Sequence, residues 1–174
     1  RRDAAPRRCV SWSSLPARLV APVGPGCSGP PALSLDRRRG FVASMAVFVV
    51  ELAPLPPSRT SLHSAIAHAL DADADAGDDH LPAVVDAIGT TRVLLLLDNC
   101  EHVLDALAEI VEELLGRAPT ALVLATSREP LRTAGETVVV IEPLDEAAAH
   151  AMFVDRATGR TAPPELDDIR AICA

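Results

Sequence analysis

Two short stretches of this chain join an apolar run to a polar end, the pattern that sets reactive groups at the edge of a buried sheet. Arg92-Val-Leu-Leu-Leu-Leu-Asp98 carries a carboxylate at its tip. Such a group can orient a magnesium ion, or one of its waters, beside the phosphates of a ligand. The same spacing serves a plainer duty, because Asp98 with Glu101 three residues later resembles a capping box for a following helix. Glu101 could instead polarise a water as general base. Ala121-Leu-Val-Leu-Ala-Thr126 leads into Ser127 and Arg128. Two hydroxyls and a permanently charged, bidentate guanidinium suit a terminal phosphate, and a surface pair between Arg128 and Glu129 is the competing reading.

A third stretch is rich in glycine: Val23-Gly24-Pro25-Gly26-Cys27-Ser28-Gly29-Pro30-Pro31. Gly24 and Gly29 have the spacing of G-x-x-x-x-G-K-[ST], in which backbone N–H groups cradle phosphate, Lys neutralises charge and a hydroxyl holds magnesium. The two positions after Gly29 are prolines, so the cation, the hydroxyl and two backbone donors are missing. The stretch reads as a turn unable to perform that chemistry. Two further candidates are weak. Asp71 to Asp79 resembles a calcium loop but lacks the closing Glu, and reads as a solvated linker. Cys100 and His102 lack a second pair of ligands for a metal, and Cys100 has no base at catalytic spacing.

The elements that must position these groups follow from periodicity. Ala46 to Leu52 is a β-branched run closed by Pro54 and Pro56, and predicts a buried strand. Ser58 to Leu70 predicts a helix capped by Ser58 or Thr60, and Leu81 to Ile88 a second one ended by Gly89. Arg92 to Asp98 predicts a central strand covered on both faces. Glu101 to Leu115 predicts a helix stopped by Gly116, with Leu104, Leu107, Val111 and Leu114 on one side. Buried strands are expected at Ala121 to Thr126 and at Thr137 to Ile141, with closing helices at Asp145 to Arg156 and Pro164 to Cys173. Strands alternating with helices imply an α/β fold with a mostly parallel sheet, whose ligands sit at the carboxyl ends of the strands.

Composition narrows the function classes. Hydrophobic residues make up 49 % of the 174 and charged residues 23 %, which excludes wholesale disorder. Aromatics are 2 % with no Tyr, so a base-stacking platform for nucleic acid is excluded. All 16 basic residues are Arg, which rules out Schiff-base chemistry and any phosphate site built on an ammonium. Residues 1–40 set eight Arg against two Asp, while the rest of the chain sets eight Arg against 22 acids. An acidic body argues against a large nucleic-acid footprint, and the basic start reads as a solvated tail over residues 1–17. The four cysteines form no CxxC pair and point to a reducing, cytoplasmic setting. No apolar run is long enough to span a bilayer, and no signal peptide is evident.

Phe48-Val-Val-Glu-Leu-Ala-Pro-Leu55, Leu94-Leu-Leu-Leu-Asp-Asn-Cys-Glu-His-Val103 and Val123-Leu-Ala-Thr-Ser-Arg-Glu-Pro-Leu131 with Gly135-Glu136 resemble, in order and spacing, the NB-ARC-type STAND ATPase module. More narrowly they are similar to its version in actinobacterial LuxR-type and SARP-type transcriptional regulators. Arg18-Leu-Val-Ala-Pro-Val-Gly24 fits the family's strand leading into the P-loop. The resemblance implies a P-loop NTPase-like, three-layer fold. It makes 18–143 the nucleotide-binding core and 144–174 the start of a helical lid, truncated before the family's Gly-Leu-Pro-Leu element. It makes Asp98 the Walker B carboxylate and metal ligand; Asp98 and, from the residue reading above, Glu101 are the catalytic candidates. Gly24, Gly26 and Gly29 become the remnant phosphate loop and Arg128 the arginine sensing the terminal phosphate, with Thr126 a cofactor-binding candidate from the residue reading above. The implied cofactors are ATP or ADP with Mg2+.

This chain departs from the family at Pro30 and Pro31, and Leu33 to Met45 does not read as the usual amphipathic helix. The expected function is therefore a fragment of a regulator's nucleotide switch, with binding impaired and hydrolysis lost. DNA would be reached only through domains outside this chain, no membrane is involved, and self-association belongs to the parent protein. The alternative is a non-enzymatic α/β scaffold for a protein partner.

Overall fold

The computed structural model describes residues 18–24, 45–72 and 79–143, together with Ala147. Every strand and helix named below lies within the compact unit Trp12–Ile141. The order along the chain is β1 (Leu19–Val23), β2 (Ala46–Glu51), α1 (Arg59–Ala69), α2 (Leu81–Ile88), β3 (Val93–Asp98), α3 (Leu104–Arg117), β4 (Ala121–Ala125) and β5 (Glu136–Val140). The strands form one sheet in the order β2-β3-β4-β1-β5, with every adjacent pair parallel. The expected α/β fold with a parallel sheet is what the chain adopts.

The strand order dictates where the helices go. Crossovers from β2 to β3 and from β3 to β4 step the same way across the sheet, and right-handed connections put both on one face. Accordingly α1, α2 and α3 pack on one another, α1 also on β2 and α3 on β4. The second helical layer of the expected three, and the closing helices, lie outside the described residues.

Aliphatic residues build the core, as the near-absence of aromatics requires. Along β3, Val93, Leu95 and Leu97 are fully buried under the helices, while Leu94, Leu96 and Asp98 on the opposite face are half-buried. They meet Leu62, Ile66, Leu107, Ile110 and Leu114 from α1 and α3. The expectation of complete cover on both faces of β3 thus holds on one face only. β2 and β5 are edge strands, leaving Val49 exposed on the first and Val138 and Val140 on the second, so neither is the buried strand its apolar run suggested.

Two helix boundaries follow from local chemistry. Ser58 caps α1 as expected, its hydroxyl accepting from the Ser61 amide at 3.2 Å. α3 departs from expectation at both ends. It begins at Leu104 without a side-chain cap, and Gly116 lies inside it rather than ending it. Pro119 stops the helix instead: Ala118 before it is forced to an extended φ of −109° and ψ of 89°. The last carbonyls are satisfied by Arg18, which donates from Nη1 to Leu115 at 2.9 Å, from Nε to Ala121 at 3.2 Å and from Nη2 to Ala118. A guanidinium at a helix carboxyl end also complements the helix dipole, so Arg18 fastens α3 and β4 to the start of β1.

Candidate functional site

Because all strands run parallel, their carboxyl ends share one edge, and the sheet order sets β3, β4 and β1 side by side. Asp98 ends β3, Thr126, Ser127 and Arg128 follow β4, and Gly24 follows β1. Ser127 is bridged to Val23, and its amide donates to the Pro22 carbonyl at 3.4 Å. Three of the sequence's candidate stretches therefore converge on neighbouring tips. Gly26, Gly29, Pro30 and Pro31 lie outside the described residues.

Thr126 is the hub of this edge. Its hydroxyl donates to Asp98 Oδ1 at 2.5 Å and accepts from the Asn99 amide at 3.1 Å. Its own amide donates to the Leu97 carbonyl, and its carbonyl accepts from the Cys100 amide, both at 2.9 Å. Four successive residues, Leu97 to Cys100, are thus bound to one buried threonine. Asn99 takes a left-handed φ of 65° to turn the chain out of the strand, a conformation that asparagine tolerates better than most residues. With both functions of its hydroxyl in use, Thr126 is built to orient Asp98. The capping box expected of Asp98 and Glu101 does not form, because residues 99–103 make this turn and α3 begins only at Leu104.

Glu101 faces Arg128, with Arg128 Nε 3.1 Å from Glu101 Oε1. Glu129, the partner suggested by adjacency, pairs with Arg132 at 3.3 Å. Ser127 is buried, and its hydroxyl accepts from the Glu129 amide at 3.2 Å, which fixes the backbone on either side of Arg128. Cys100 is buried beneath the turn and donates to the Leu97 carbonyl at 3.4 Å. Burial pushes its thiol far above the usual range, and the charges of Asp98 and Glu101 add to this, so it is no nucleophile. The His102 ring meets the Leu55 carbonyl at 3.2 Å, tying this turn to the loop after β2. Among the described residues, no group of three or more His, Cys, Asp or Glu is arranged to hold a metal.

The arm from Arg128 to Gly135 crosses β1 to reach β5, and it is pinned by carboxylates that periodicity gave no means of finding. Glu136 accepts from three successive amides, Leu131 at 2.9 Å, Arg132 at 2.7 Å and Thr133 at 3.3 Å. Glu112 of α3 accepts from the Ala134 amide at 3.1 Å. A cleft of about 400 Å3 lies between the start of α3 and this arm. Glu101, Asp105 and Glu129 outnumber Arg132 on its walls, so the cleft itself does not suit an anion.

No protein-family profile matches the chain. It is 37 % identical over 144 residues to Rv0890c of Mycobacterium tuberculosis H37Rv, a protein named provisionally as an HTH-type transcriptional regulator, and equally to Mb0914c of Mycobacterium bovis, named in the same way. It is 34 % identical over 143 residues to the uncharacterized Rv0894 of M. tuberculosis. These alignments cover 81 % and 80 % of this chain, but the chain spans only 16 % of the length of the first two relatives and 36 % of the third. A solved signal-transduction ATPase with numerous domains and a tetratricopeptide repeat sensor, PH0952 from Pyrococcus horikoshii, aligns over 90 % of this chain and 25 % of its own. The TM-score is 0.48 and the identity 15 %. The chain is thus similar over most of its length to a small part of mycobacterial proteins named as transcriptional regulators.

Proposed function

We propose that the chain is the nucleotide-switch core of a STAND-type, NB-ARC-like transcriptional regulator in which nucleotide binding is weak and hydrolysis is lost. The observation that carries this reading is the convergence of Asp98, Thr126 and Arg128 on adjacent parallel strand tips beside Gly24. The similarity to regulator-named mycobacterial proteins supports the regulatory context, and DNA contact would belong to other parts of such proteins.

The residues fit a Mg2+ nucleotide only in part. Asp98, oriented by Thr126, suits a metal or its water, and Arg128 suits a terminal phosphate. The sequence of the P-loop stretch supplies no matching donors: the chain has no Lys, and two prolines stand where the P-loop cation and hydroxyl belong. No hydrolytic step is derived for this chain. Glu101 in particular is paired with Arg128, a poor arrangement for a general base.

The test is an NMR titration with ADP and with MgATP at millimolar concentration. Shifts confined to residues 98–101 and 126–128, and lost in Arg128→Ala, are the expected result. No shift at these tips with either nucleotide overturns the switch reading and favours the alternative, a protein-binding scaffold. That alternative draws support from the internal satisfaction of the site, since Asp98 and Arg128 both have partners within the chain.

A further inference from the structure

Among the described residues Arg128 carries the one positive charge at the β3 and β4 tips, and its immediate partner is an acid from the neighbouring turn. We propose that Glu101 is a positioning residue for Arg128: it holds the guanidinium in cis and competes for it with any phosphate-bearing ligand. The proposal rests on the phosphate-binding reading above.

Three observations carry it. First, the pair is selective. Arg128 bypasses the sequence-adjacent Glu129, which is taken by Arg132, and reaches across from β4 to Glu101 in the β3–α3 turn. Second, the partners are unequal. The Glu101 side chain is 24 % exposed and that of Arg128 is 63 % exposed, so the guanidinium keeps most of its surface open to a second anion. Third, both backbones are held. The Cys100 amide is bound to the Thr126 carbonyl and the Val103 amide to the Cys100 carbonyl, while the Ser127 amide and hydroxyl fix the stretch before Arg128. Exchange of partner is then a swing of the arginine side chain, without remodelling of the sheet edge. A carboxylate and a phosphate oxygen present the same acceptor to a guanidinium, so occupation by one excludes the other at that donor.

An exposed ion pair of this kind sets the scale of the competition at about two- to fivefold in affinity. The test follows the Arg128 Nε–H signal by 15N NMR in the full chain and titrates it with inorganic tripolyphosphate. In the wild type the signal is slowed in exchange with water. In Glu101→Gln, which keeps shape and loses charge, it exchanges faster and tripolyphosphate binds about two- to fivefold more tightly. Glu129→Gln makes the same change in net charge at the residue next to Arg128 in sequence and leaves both readouts near wild type. In an Arg128→Ala background, Glu101→Gln produces no gain. Equal exchange of the Nε–H with and without the Glu101 charge overturns the pair. Equal tripolyphosphate affinity of the wild type and Glu101→Gln, or a gain that persists without Arg128, overturns the competition alone. Absence of any tripolyphosphate effect in both proteins overturns the competition together with the phosphate-binding reading.

Discussion

The seam between β3 and β4 and the seam between β4 and β1 meet on the same central strand, yet they are built differently. β3 and β4 pair without a gap from Val93↔Ala121 to Leu97↔Ala125, and Thr126 closes the seam onto Asp98. β1 pairs with β4 only at Leu19↔Val123 and Val20↔Leu124, then again at the isolated bridge Val23↔Ser127. The reason is Pro22. Its carbonyl accepts from Ser127, so its backbone edge faces β4, where proline has no N–H to give. The carboxylate and arginine side of the site is therefore held by a full ladder. The side that leads into the glycine loop is held by a broken one, beside a loop whose sequence lacks the cation. Asp98, Thr126 and Arg128 come together where the ladder is complete.

Four substitutions test that contrast. The largest is Leu97→Ala, directly beneath Asp98 and fully buried, with an expected loss of about 3 kcal/mol in urea denaturation because the closed core leaves a cavity. Thr126→Val, which keeps the shape and removes the hydroxyl, is expected to cost about 1.5 kcal/mol and to unprotect the Asn99 amide in hydrogen exchange, while Thr126→Ser keeps that protection. Pro22→Val is expected to run the other way, adding a ladder donor and stabilising the chain by about 1 kcal/mol with new exchange protection at residue 22.

The smallest effect is on pH dependence and lies in the helical layer, at α1. His63 of α1 is buried, with Asp79 Oδ1 3.4 Å from its Nδ1. Desolvation lowers its pKa, with Arg59 and His80 acting the same way and Asp79 and Glu113 opposing. The folded chain therefore keeps His63 neutral at pH values where the unfolded chain, at the ordinary value of 6.5, already binds a proton. Stability is full above that value and falls as the pH drops through it, with a slope of at most about 1.4 kcal/mol per pH unit from this one group. His63→Leu is expected to flatten that slope in pH-resolved denaturation and to leave Asn99 protection at neutral pH unchanged.

Much of the scaffold was legible in the sequence because its signals are local. The aliphatic run into Asp98, the Ser58 cap and the Gly89 stop each reach their element through chemistry within a few residues. What periodicity could not show was partner choice across the chain. Asp98 and Glu101 have capping-box spacing, but the chain instead spends both on tertiary partners, Thr126 and Arg128, which lie about one strand-helix-strand unit away in sequence. For the same reason α3 starts at Leu104 rather than at Glu101. Arg18 enters the sequence reading only as the start of the strand leading into the glycine loop, whereas carbonyls of Leu115, Ala118 and Ala121 make it a structural clamp. The edge positions of β2 and β5 depend on sheet order, which an apolar run does not encode.

We propose that nucleotide is held weakly, because Asp98, Thr126 and Arg128 share one sheet edge while the glycine-rich sequence after β1 carries no cation. Isothermal titration of the full chain with ATP and Mg2+ tests it most directly. The expected result is a dissociation constant in the millimolar range or weaker, with no ADP released on prolonged incubation. A micromolar dissociation constant would contradict it, because affinity of that order requires phosphate donors that neither Arg128 nor the Gly24 stretch supplies.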